Sequence, residues 1–240
     1  MRVSRVFVEV GLAPGDTLTL DRETSHYLAS VLRLQRGDPV RVFNGRDGEF
    51  SAEITAVSRQ AVSLALGERL RDAAPSPLHI HLALGLSRGD RMDFAIQKAT
   101  ELGVGAITPL YSEFGEVRIK QAARLENKLR HWRRIAVSAC EQSGRLQVPE
   151  IAAPQALAEW LQTPRQGLRL LLDPSGVAAL GAQPTAEHIA LVIGPEGGFS
   201  PGELALAAEQ DYTLVHLGPR ILRTETAPVA ALSVLQYCYG

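Results

Sequence analysis

A glycine-rich loop carries the first candidate binding chemistry of the chain. Residues 193–199 read Ile-Gly-Pro-Glu-Gly-Gly-Phe and follow a short apolar run. Three glycines in five residues let the backbone approach a ligand closely, at an entropic cost that a plain connection does not require. The loop matches neither the dinucleotide-binding pattern nor the P-loop pattern, and Glu196 would repel a pyrophosphate. Two interpretations remain open at this point, a ligand-binding backbone and a tight turn.

A second loop, residues 217–226, combines cationic and hydroxyl side chains at the start of the last apolar helix pattern. It reads Leu-Gly-Pro-Arg-Ile-Leu-Arg-Thr-Glu-Thr. Hydrogen-bond donors at the start of a helix suit an anionic ligand. A purely structural interpretation is that a threonine caps the helix and that Glu225 interacts favourably with the helix dipole. That interpretation leaves Arg220 and Arg223 unexplained.

The elements that must position these loops alternate between strands and helices. Short apolar runs predict strands at residues 79–84, 104–110, 168–172, 189–193 and 213–217. These runs lack polar alternation, which is typical of strands covered on both faces. Helical patterns lie between or after them, one starting at Asp90 and the last spanning residues 229–239. Another helix is predicted to start at Ser200, with Pro201 as its first residue and Glu203 completing a capping box. The predicted fold class is α/β with a mostly parallel sheet, and both loops leave carboxyl ends of strands, where such sheets bind ligands.

Residues 1–77, which precede this α/β region, show a different pattern of apolar residues. Residues 73–77 read Ala-Ala-Pro-Ser-Pro, which no helix or central strand can run through. In residues 1–72, apolar side chains alternate in three short runs, Asn44 and Gly45 favour a hairpin turn, and one helical pattern occurs. The sequence predicts a small β-barrel with one helix over 1–72, a linker over 73–77 and an α/β domain over 78–240.

Composition excludes several classes of protein. With 45% hydrophobic and 21% charged residues among 240, the chain is typical of a globular protein. No run reaches the ~18 apolar residues of a membrane span, and no signal peptide is recognised, so we expect a cytoplasmic protein without membrane contact. Two cysteines, Cys140 and Cys238, exclude a disulfide framework and a four-thiolate metal site. His79 and His81 have no carboxylate at a ligand spacing, and we predict no metal.

Positive charge is concentrated in the middle of the chain. Residues 73–150 carry 11 basic and eight acidic side chains, whereas residues 151–240 carry four and eight. Within this segment, seven basic residues occur with a single acid, Glu126, among them, and much of this run belongs to one predicted helix. The seven are Arg118, Lys120, Arg124, Lys128, Arg130, Arg133 and Arg134. This density fits a surface that contacts phosphates, although a solvated helix face would look the same. Aromatic residues make up only 5%, which argues against stacking many successive bases.

The two loops together resemble the ribosomal RNA small subunit methyltransferase E family, the 16S rRNA uridine-N3 methyltransferases of the knotted SPOUT superfamily. The residues that carry the resemblance are 193–198 and 217–226. Further blocks similar to family motifs are residues 2–7, 26–34, 87–93, 97–103 and 141–145. The resemblance extends over nearly the whole chain.

This resemblance implies a PUA-like RNA-binding β-barrel followed by a trefoil-knotted α/β domain. In the family, S-adenosylmethionine lies bent in a pocket made by the knot loops, and two subunits form a homodimer that completes the active sites. The implied substrate is N3 of one uridine in the 16S rRNA of the small ribosomal subunit. By position, the implied cofactor-binding residues are Leu172, Ile193, Gly194, Glu196, Gly198, Leu217, Gly218, Ile221, Leu222 and Thr224.

Methylation of uracil N3 requires removal of a proton and stabilisation of the resulting charge. We expect Arg223 to stabilise negative charge on the uracil oxygens or to bind a neighbouring phosphate. Glu225 or Glu141 is the candidate proton acceptor. Each has a structural alternative, because Glu225 also suits a helix start and Glu141 could pair with Arg145 at i,i+4. Cys140 is expected to be buried rather than nucleophilic.

Several arginines and one lysine are candidates for RNA binding. We expect Arg2, Arg5, Arg33 and Arg36 to form one edge of the barrel, and Arg124, Lys128 and Arg133 to hold the RNA backbone. The chain departs from the family pattern at two places. Phe114 stands where an arginine is often found, and Ala227-Pro228 replaces a more usual Thr-Ala.

Two alternative functions differ in their sequence requirements. A knotted 2′-O-methyltransferase typically has an arginine after an asparagine-rich motif, which residues 87–89 match poorly. A noncatalytic RNA-binding or assembly factor would have no use for the glycines of residues 194–198, because without a ligand they only add an entropic cost.

Overall fold

The computed structural model describes residues 3–58, 61–74 and 76–240 and divides into two compact units. The first unit contains Met1–Pro75 and Cys140–Val148, and the second contains Ser76–Ala139 and Pro149–Gly240. The first unit therefore includes a short segment, Cys140–Val148, that lies within the range predicted for the α/β domain.

The first unit is built on a five-stranded sheet. Its strands are β1 (Ser4–Phe7), β2 (Thr17–Thr19), β3 (Pro39–Phe43), β4 (Glu49–Val57) and β5 (Val62–Arg71). The order is β1-β3-β4-β5-β2, with β1 and β3 parallel and the other pairs antiparallel. A helix, α1 (Arg22–His26), is capped by the Asp21 side chain and continues as a π-helical turn over Tyr27–Val31.

The predicted period-two pattern of this unit is confirmed by its core. The alternating residues of β3, β4 and β5 are buried together with Leu28, which follows α1. The core members from these strands are Val40, Val42, Phe50, Ala52, Ile54, Val62, Leu64 and Leu66.

A buried carboxylate, Glu49, ties the first unit together. Its side chain is 0% exposed and accepts hydrogen bonds from Arg5 Nε at 2.5 Å and Arg71 Nε at 2.9 Å. Burial alone would raise the pKa of Glu49, but the hydrogen bonds from Arg71 and Arg5 hold the pKa below its ordinary value. Arg5 also donates to the main-chain oxygens of Cys140 and Arg145. These contacts explain why Cys140–Val148 belongs to the first unit.

The location of Arg5 corrects its expected role in RNA binding. Its side chain is only 7% exposed, and its guanidinium donates hydrogen bonds to Glu49 and to the main-chain oxygens of Cys140 and Arg145. Arg33 and Arg36 are exposed, and Arg33 adopts a left-handed backbone with φ of 58°. Arg2 lies outside the described residues.

The second unit is an α/β structure with an eight-stranded sheet. Its strands are β6 (His79–Gly85), β7 (Ala106–Tyr111), β8 (Glu150–Ile151), β9 (Gln155–Ala156), β10 (Leu168–Leu172), β11 (Ala178–Ala179), β12 (His188–Ile193) and β13 (Thr213–His216). The order is β11-β13-β10-β12-β6-β7-β8, with β9 also paired to β7, and every pair is parallel. The predicted α/β class and all five predicted strands are confirmed. The three two-residue strands were not predicted, because they are too short to show a period.

The helices of the chain after α1 are α2 (Gly89–Glu101), α3 (Ala122–Ser143), α4 (Leu157–Gln162), α5 (Pro201–Glu209) and α6 (Thr226–Tyr239). A 3₁₀ turn occupies Leu180–Ala182. Helix α5 begins with the predicted capping box, in which Ser200 and Glu203 bond reciprocally and Pro201 is the first helical residue. Helix α3 begins in the second unit, and its last residues belong to the first. None of the helices in the described part of the chain is long and apolar enough to span a membrane.

Candidate functional site

Both predicted loops meet at one edge of the parallel sheet. The strands β12, β10 and β13 are neighbours in the order β13-β10-β12, so the loops that follow them leave the same edge. These loops enclose a cavity of about 570 Å³. A cavity of this size is typical of small-molecule sites.

The cavity brings together every residue that the resemblance implied for a cofactor pocket. Those ten lining residues are Leu172, Ile193, Gly194, Glu196, Gly198, Leu217, Gly218, Ile221, Leu222 and Thr224. Arg223 and Arg220 also line the cavity. Arg91 and Asp173 line it as well and were not predicted. Asp173 could have been found because it directly follows Leu172, whereas Arg91 comes from the first turn of α2, far away in sequence.

Glycines shape the loop after β12. Gly198 has φ of +71°, which side-chain-bearing residues rarely adopt. At Gly85, the last residue of β6, an added Cβ would lie 2.3 Å from the backbone nitrogen of Pro195. The absence of a side chain at Gly85 therefore lets the loop pack directly on the end of β6.

An ion-pair cluster lies at the edge of the cavity. Arg91 Nη1 donates to Glu196 Oε1 at 2.8 Å, and Arg91 Nε lies 3.9 Å from Glu225 Oε2. The hydrogen bond to Glu196 and the charge of Glu225 raise the pKa of Arg91. Arg91 thus links Glu196, one of the implied cofactor-binding residues, with Glu225, a candidate proton acceptor.

Glu225 has an unusual environment for a helix-start residue. It directly precedes α6, but its side chain makes no capping hydrogen bond. Its Oε2 atom is buried and has no hydrogen-bond partner among the described residues. The capping interpretation therefore does not account for this carboxylate, whose charge is paired with that of Arg91.

Glu141 is placed elsewhere. It belongs to the first unit, and its Oε1 atom accepts a hydrogen bond from the backbone nitrogen of Phe7 at 3.0 Å. Burial raises its pKa, against the opposing effects of the Phe7 hydrogen bond and the Arg5 charge. Glu141 does not line the cavity, and the structure gives it a structural contact instead.

The apolar side chains and bare backbone of the cavity fit an adenosyl group. Apolar side chains such as Ile193 and Leu222 alternate with bare glycine backbone, which suits an adenine and a thioether chain. The charged groups of the lining are the carboxylates of Asp173 and Glu196 and the guanidinium groups of Arg91, Arg220 and Arg223. In residues 3–58, 61–74 and 76–240, no group of three or more His, Cys, Asp and Glu side chains is arranged to bind a metal ion.

Comparison with known proteins matches both units of the chain. Residues 74–236 match the family model of the RNA methyltransferase domain, and residues 20–66 match that of the RNA methyltransferase PUA domain. Ribosomal RNA small subunit methyltransferase E of Buchnera aphidicola from Schizaphis graminum is 34% identical, over 100% of this chain and 98% of that protein. The protein of the same name from Bacillus subtilis is 31% identical, over 98% and 96%.

Two similar solved structures contain the cofactor. The ribosomal RNA small subunit methyltransferase E of Neisseria gonorrhoeae, bound to S-adenosyl methionine, has a TM-score of 0.92 and 34% identity over 100% of this chain and 99% of that one. A methyltransferase of Legionella pneumophila in complex with SAM has a TM-score of 0.96 and 38% identity, again over 100% and 99%.

Proposed function

The chain belongs to the ribosomal RNA small subunit methyltransferase E family, and from this premise we propose that it methylates N3 of a specific uridine in the 16S rRNA of the small ribosomal subunit, using S-adenosylmethionine. The observation that carries the proposal is the convergence of two loops, distant in sequence, into one cavity that contains all ten implied cofactor residues. The match to the PUA domain model supports an RNA substrate.

Different residues of the cavity would hold different parts of the cofactor. When bound, S-adenosylmethionine supplies an electrophilic methyl group on a sulfonium. Glycine backbone at residues 194 and 198, together with Ile193, Leu217 and Leu222, would hold the adenosyl group. The carboxylates of Glu196 and Glu225 would hold positively charged parts of the cofactor or take up a proton. Orientation of the reactants is the largest contribution we assign to the protein, since positioning can lower a barrier by about 7–11 kcal/mol.

Arg223 and Glu225 are the residues we assign to the chemical step. Uracil N3 carries a proton between two carbonyl groups, and it becomes a good nucleophile once that proton is removed. Glu225, whose buried Oε2 atom lies 3.9 Å from Arg91 Nε and has no hydrogen-bond partner among the described residues, would accept the N3 proton. Arg223 would stabilise the negative charge that develops on the uracil oxygens. A positioned base typically contributes about 10²–10⁴-fold.

The test of the function is methyl transfer to small ribosomal subunits from a strain that lacks the modification. Mass spectrometry of the nucleosides should show 3-methyluridine at one position after incubation with protein and S-adenosylmethionine. A 2′-O-methylated product would contradict the proposed acceptor atom. If calorimetric titration shows no binding of S-adenosylmethionine, the protein is a noncatalytic RNA-binding factor instead.

The close packing at Gly85 gives a prediction for cofactor binding. Gly85→Ala places a Cβ against the Pro195 backbone and displaces the glycine loop, so we expect destabilisation by about 1–3 kcal/mol and a weaker affinity for S-adenosylmethionine. Gly105→Ala is the matched control, because its Cβ would meet only Ile80 O at 3.5 Å. Thermal unfolding and calorimetric titration measure both effects. Equal behaviour of the two variants would show that the loop tolerates the displacement.

RNA binding is assigned to exposed cations of both units. We propose that Arg33 and Arg36 contact RNA from the first unit, and that Arg124, Lys128 and Arg133 of α3 contact its backbone. Arg124 and Arg133 are exposed, and the half-buried Lys128 has its Nζ atom 6.0 Å from the Trp132 ring.

The salt dependence of RNA binding tests this assignment. For the double variant Lys128→Glu, Arg133→Glu, we expect weaker binding and a salt slope of log K that is flatter by about 1 for each lost phosphate contact. Filter binding to small-subunit RNA over a range of salt concentrations gives the slope. A slope equal to that of the unmodified protein would remove these two residues from the interface.

We also propose the assembly and location that the resemblance implies. Two copies would form a homodimer, and the loops after β12 and β13 would be part of a trefoil knot. Sedimentation equilibrium reports the mass in solution, and a monomer would contradict the dimer. A ribosomal substrate would place the protein in the cytoplasm.

A further inference from the structure

A second cavity adjoins the proposed cofactor cavity. Its volume is about 560 Å³, and its lining includes Arg91, Glu196 and Gly197, which also line the first cavity. The two spaces therefore share a wall made by the Arg91–Glu196 ion pair and the Gly197 backbone. A methyl acceptor must approach the methyl donor to about 3–3.5 Å, so it must occupy space next to the cofactor. The second cavity has that location.

An exposed phenylalanine is among the residues that line the second cavity. Phe114 is 46% exposed, although large apolar side chains are usually buried. Its backbone packs so closely on Gly197 that a Cβ there would lie 2.8 Å from Phe114 Cβ and 3.0 Å from Phe114 O. The glycine at 197 thus allows this segment to reach the shared wall. A ring in this location offers a stacking surface for a single base.

The polar groups of the second cavity suit a neutral base better than a phosphate. Two guanidinium groups, of Arg88 and Arg91, face three carboxylates, of Asp90, Glu116 and Glu196. Arg88 Nη2 donates to Glu116 Oε2 at 2.6 Å. Because the carboxylates outnumber the cations, a phosphate would be repelled. Uracil presents two carbonyl acceptors on either side of the N3 donor, which guanidinium and carboxylate groups can recognise together.

We propose that the second cavity binds the target uracil after it has left the RNA stack, with the Phe114 ring stacked on the base and Arg88 contacting one of its carbonyl oxygens. The inference rests on the function proposed above and adds the place where the substrate binds. Enzymes that act on a base commonly move it out of the stack into a pocket with aromatic or apolar walls. In this position the N3 edge of the base would face the shared wall and the cofactor cavity on its other side.

Four variants test the stacking role of Phe114. Phe114→Ala keeps the Cβ that faces Gly197 and removes the ring; Phe114→Trp keeps an aromatic face; Phe114→Leu keeps apolar volume without one. Phe94→Ala is the matched control, because that ring is 44% exposed on α2 and lines neither cavity. The measurements are kcat/KM for methylation of small ribosomal subunits, the Kd for S-adenosylmethionine and the melting temperature.

For Phe114→Ala we expect kcat/KM to fall by about 5- to 150-fold, the range of one base–aromatic stack, with an unchanged cofactor Kd. Phe114→Trp should retain activity, Phe114→Leu should resemble the alanine variant, and Phe94→Ala should resemble the unmodified protein. Arg88→Gln should lower kcat/KM without changing the cofactor Kd.

The contrary outcomes are distinct. If Phe114→Leu is as active as Phe114→Trp, or if Phe114→Ala is as active as Phe94→Ala, stacking is excluded. If Phe114→Ala weakens cofactor binding in the same proportion, the ring supports the cofactor loop and the proposal fails. If the unmodified protein forms no 3-methyluridine, the failure is that of the proposed function.

Discussion

Arg223→Ala should lower kcat for methyl transfer by about 10²–10³-fold, as expected for loss of a group that stabilises charge developing in the transition state. The side chain lines the cavity beside the proposed cofactor residues. Its main-chain oxygen accepts hydrogen bonds from the backbone nitrogens of Thr226 and Ala227, both at 2.9 Å, and an alanine keeps these bonds. The start of α6 should therefore be preserved. Single-turnover methylation of small ribosomal subunits measures the chemical step.

Two controls distinguish charge stabilisation from binding. Arg223→Lys keeps the charge but not the planar fork, so its rate should lie between those of the unmodified protein and the alanine variant. The Kd for S-adenosylmethionine should be unchanged in both variants. A cofactor affinity that falls as steeply as the rate would show that Arg223 binds the cofactor rather than acting on the uracil.

Glu49→Ala should lower the free energy of unfolding of the first unit by about 3–5 kcal/mol, the cost of removing one partner from a buried ion pair. Arg5, whose side chain is 7% exposed, would keep its charge without this carboxylate. Urea unfolding followed by circular dichroism gives the difference. Glu53→Ala is the matched control on the same strand, since Glu53 is exposed and its loss should change stability by no more than about 0.5 kcal/mol.

The contribution of Glu49 should also depend on pH. Its pKa is lower in the folded protein than the value near 4.3 expected for the unfolded chain. The unfolded state therefore binds a proton first as pH falls, so the stabilisation is complete above the unfolded pKa and is lost as pH falls through the folded pKa. The difference between Glu49→Ala and the unmodified protein should thus shrink below about pH 4. If the difference between the two proteins stays constant as pH falls well below about 4, the ionised pair is contradicted.

The sequence was most informative where function and local structure use the same residues. Glycine loops at strand ends, the capping box at Ser200 and the apolar runs of the sheet are local patterns, and each was predicted. The cavity adds Arg91 from a helix about a hundred residues earlier in the chain, and only the fold brings it to Glu196.

Charged residues were the least predictable from sequence. Arg5 and Glu141 both look like surface groups in the sequence, yet Arg5 pairs with Glu49 and Glu141 accepts a hydrogen bond from Phe7. Their partners lie at least 44 residues away along the chain, so no local pattern could indicate them. Burial of a charge is decided by the partner that compensates it, and that partner is known only from the structure.

Because Arg5 donates to main-chain oxygens of residues 140 and 145, the amino-terminal module is not contiguous in the gene. A fragment that ends at residue 75 would lack the main-chain oxygens of Cys140 and Arg145, which accept hydrogen bonds from the largely buried guanidinium of Arg5. Recombination that transfers only the first 75 residues to another protein would therefore leave out part of the unit. Cys140–Val148 would have to be transferred as well.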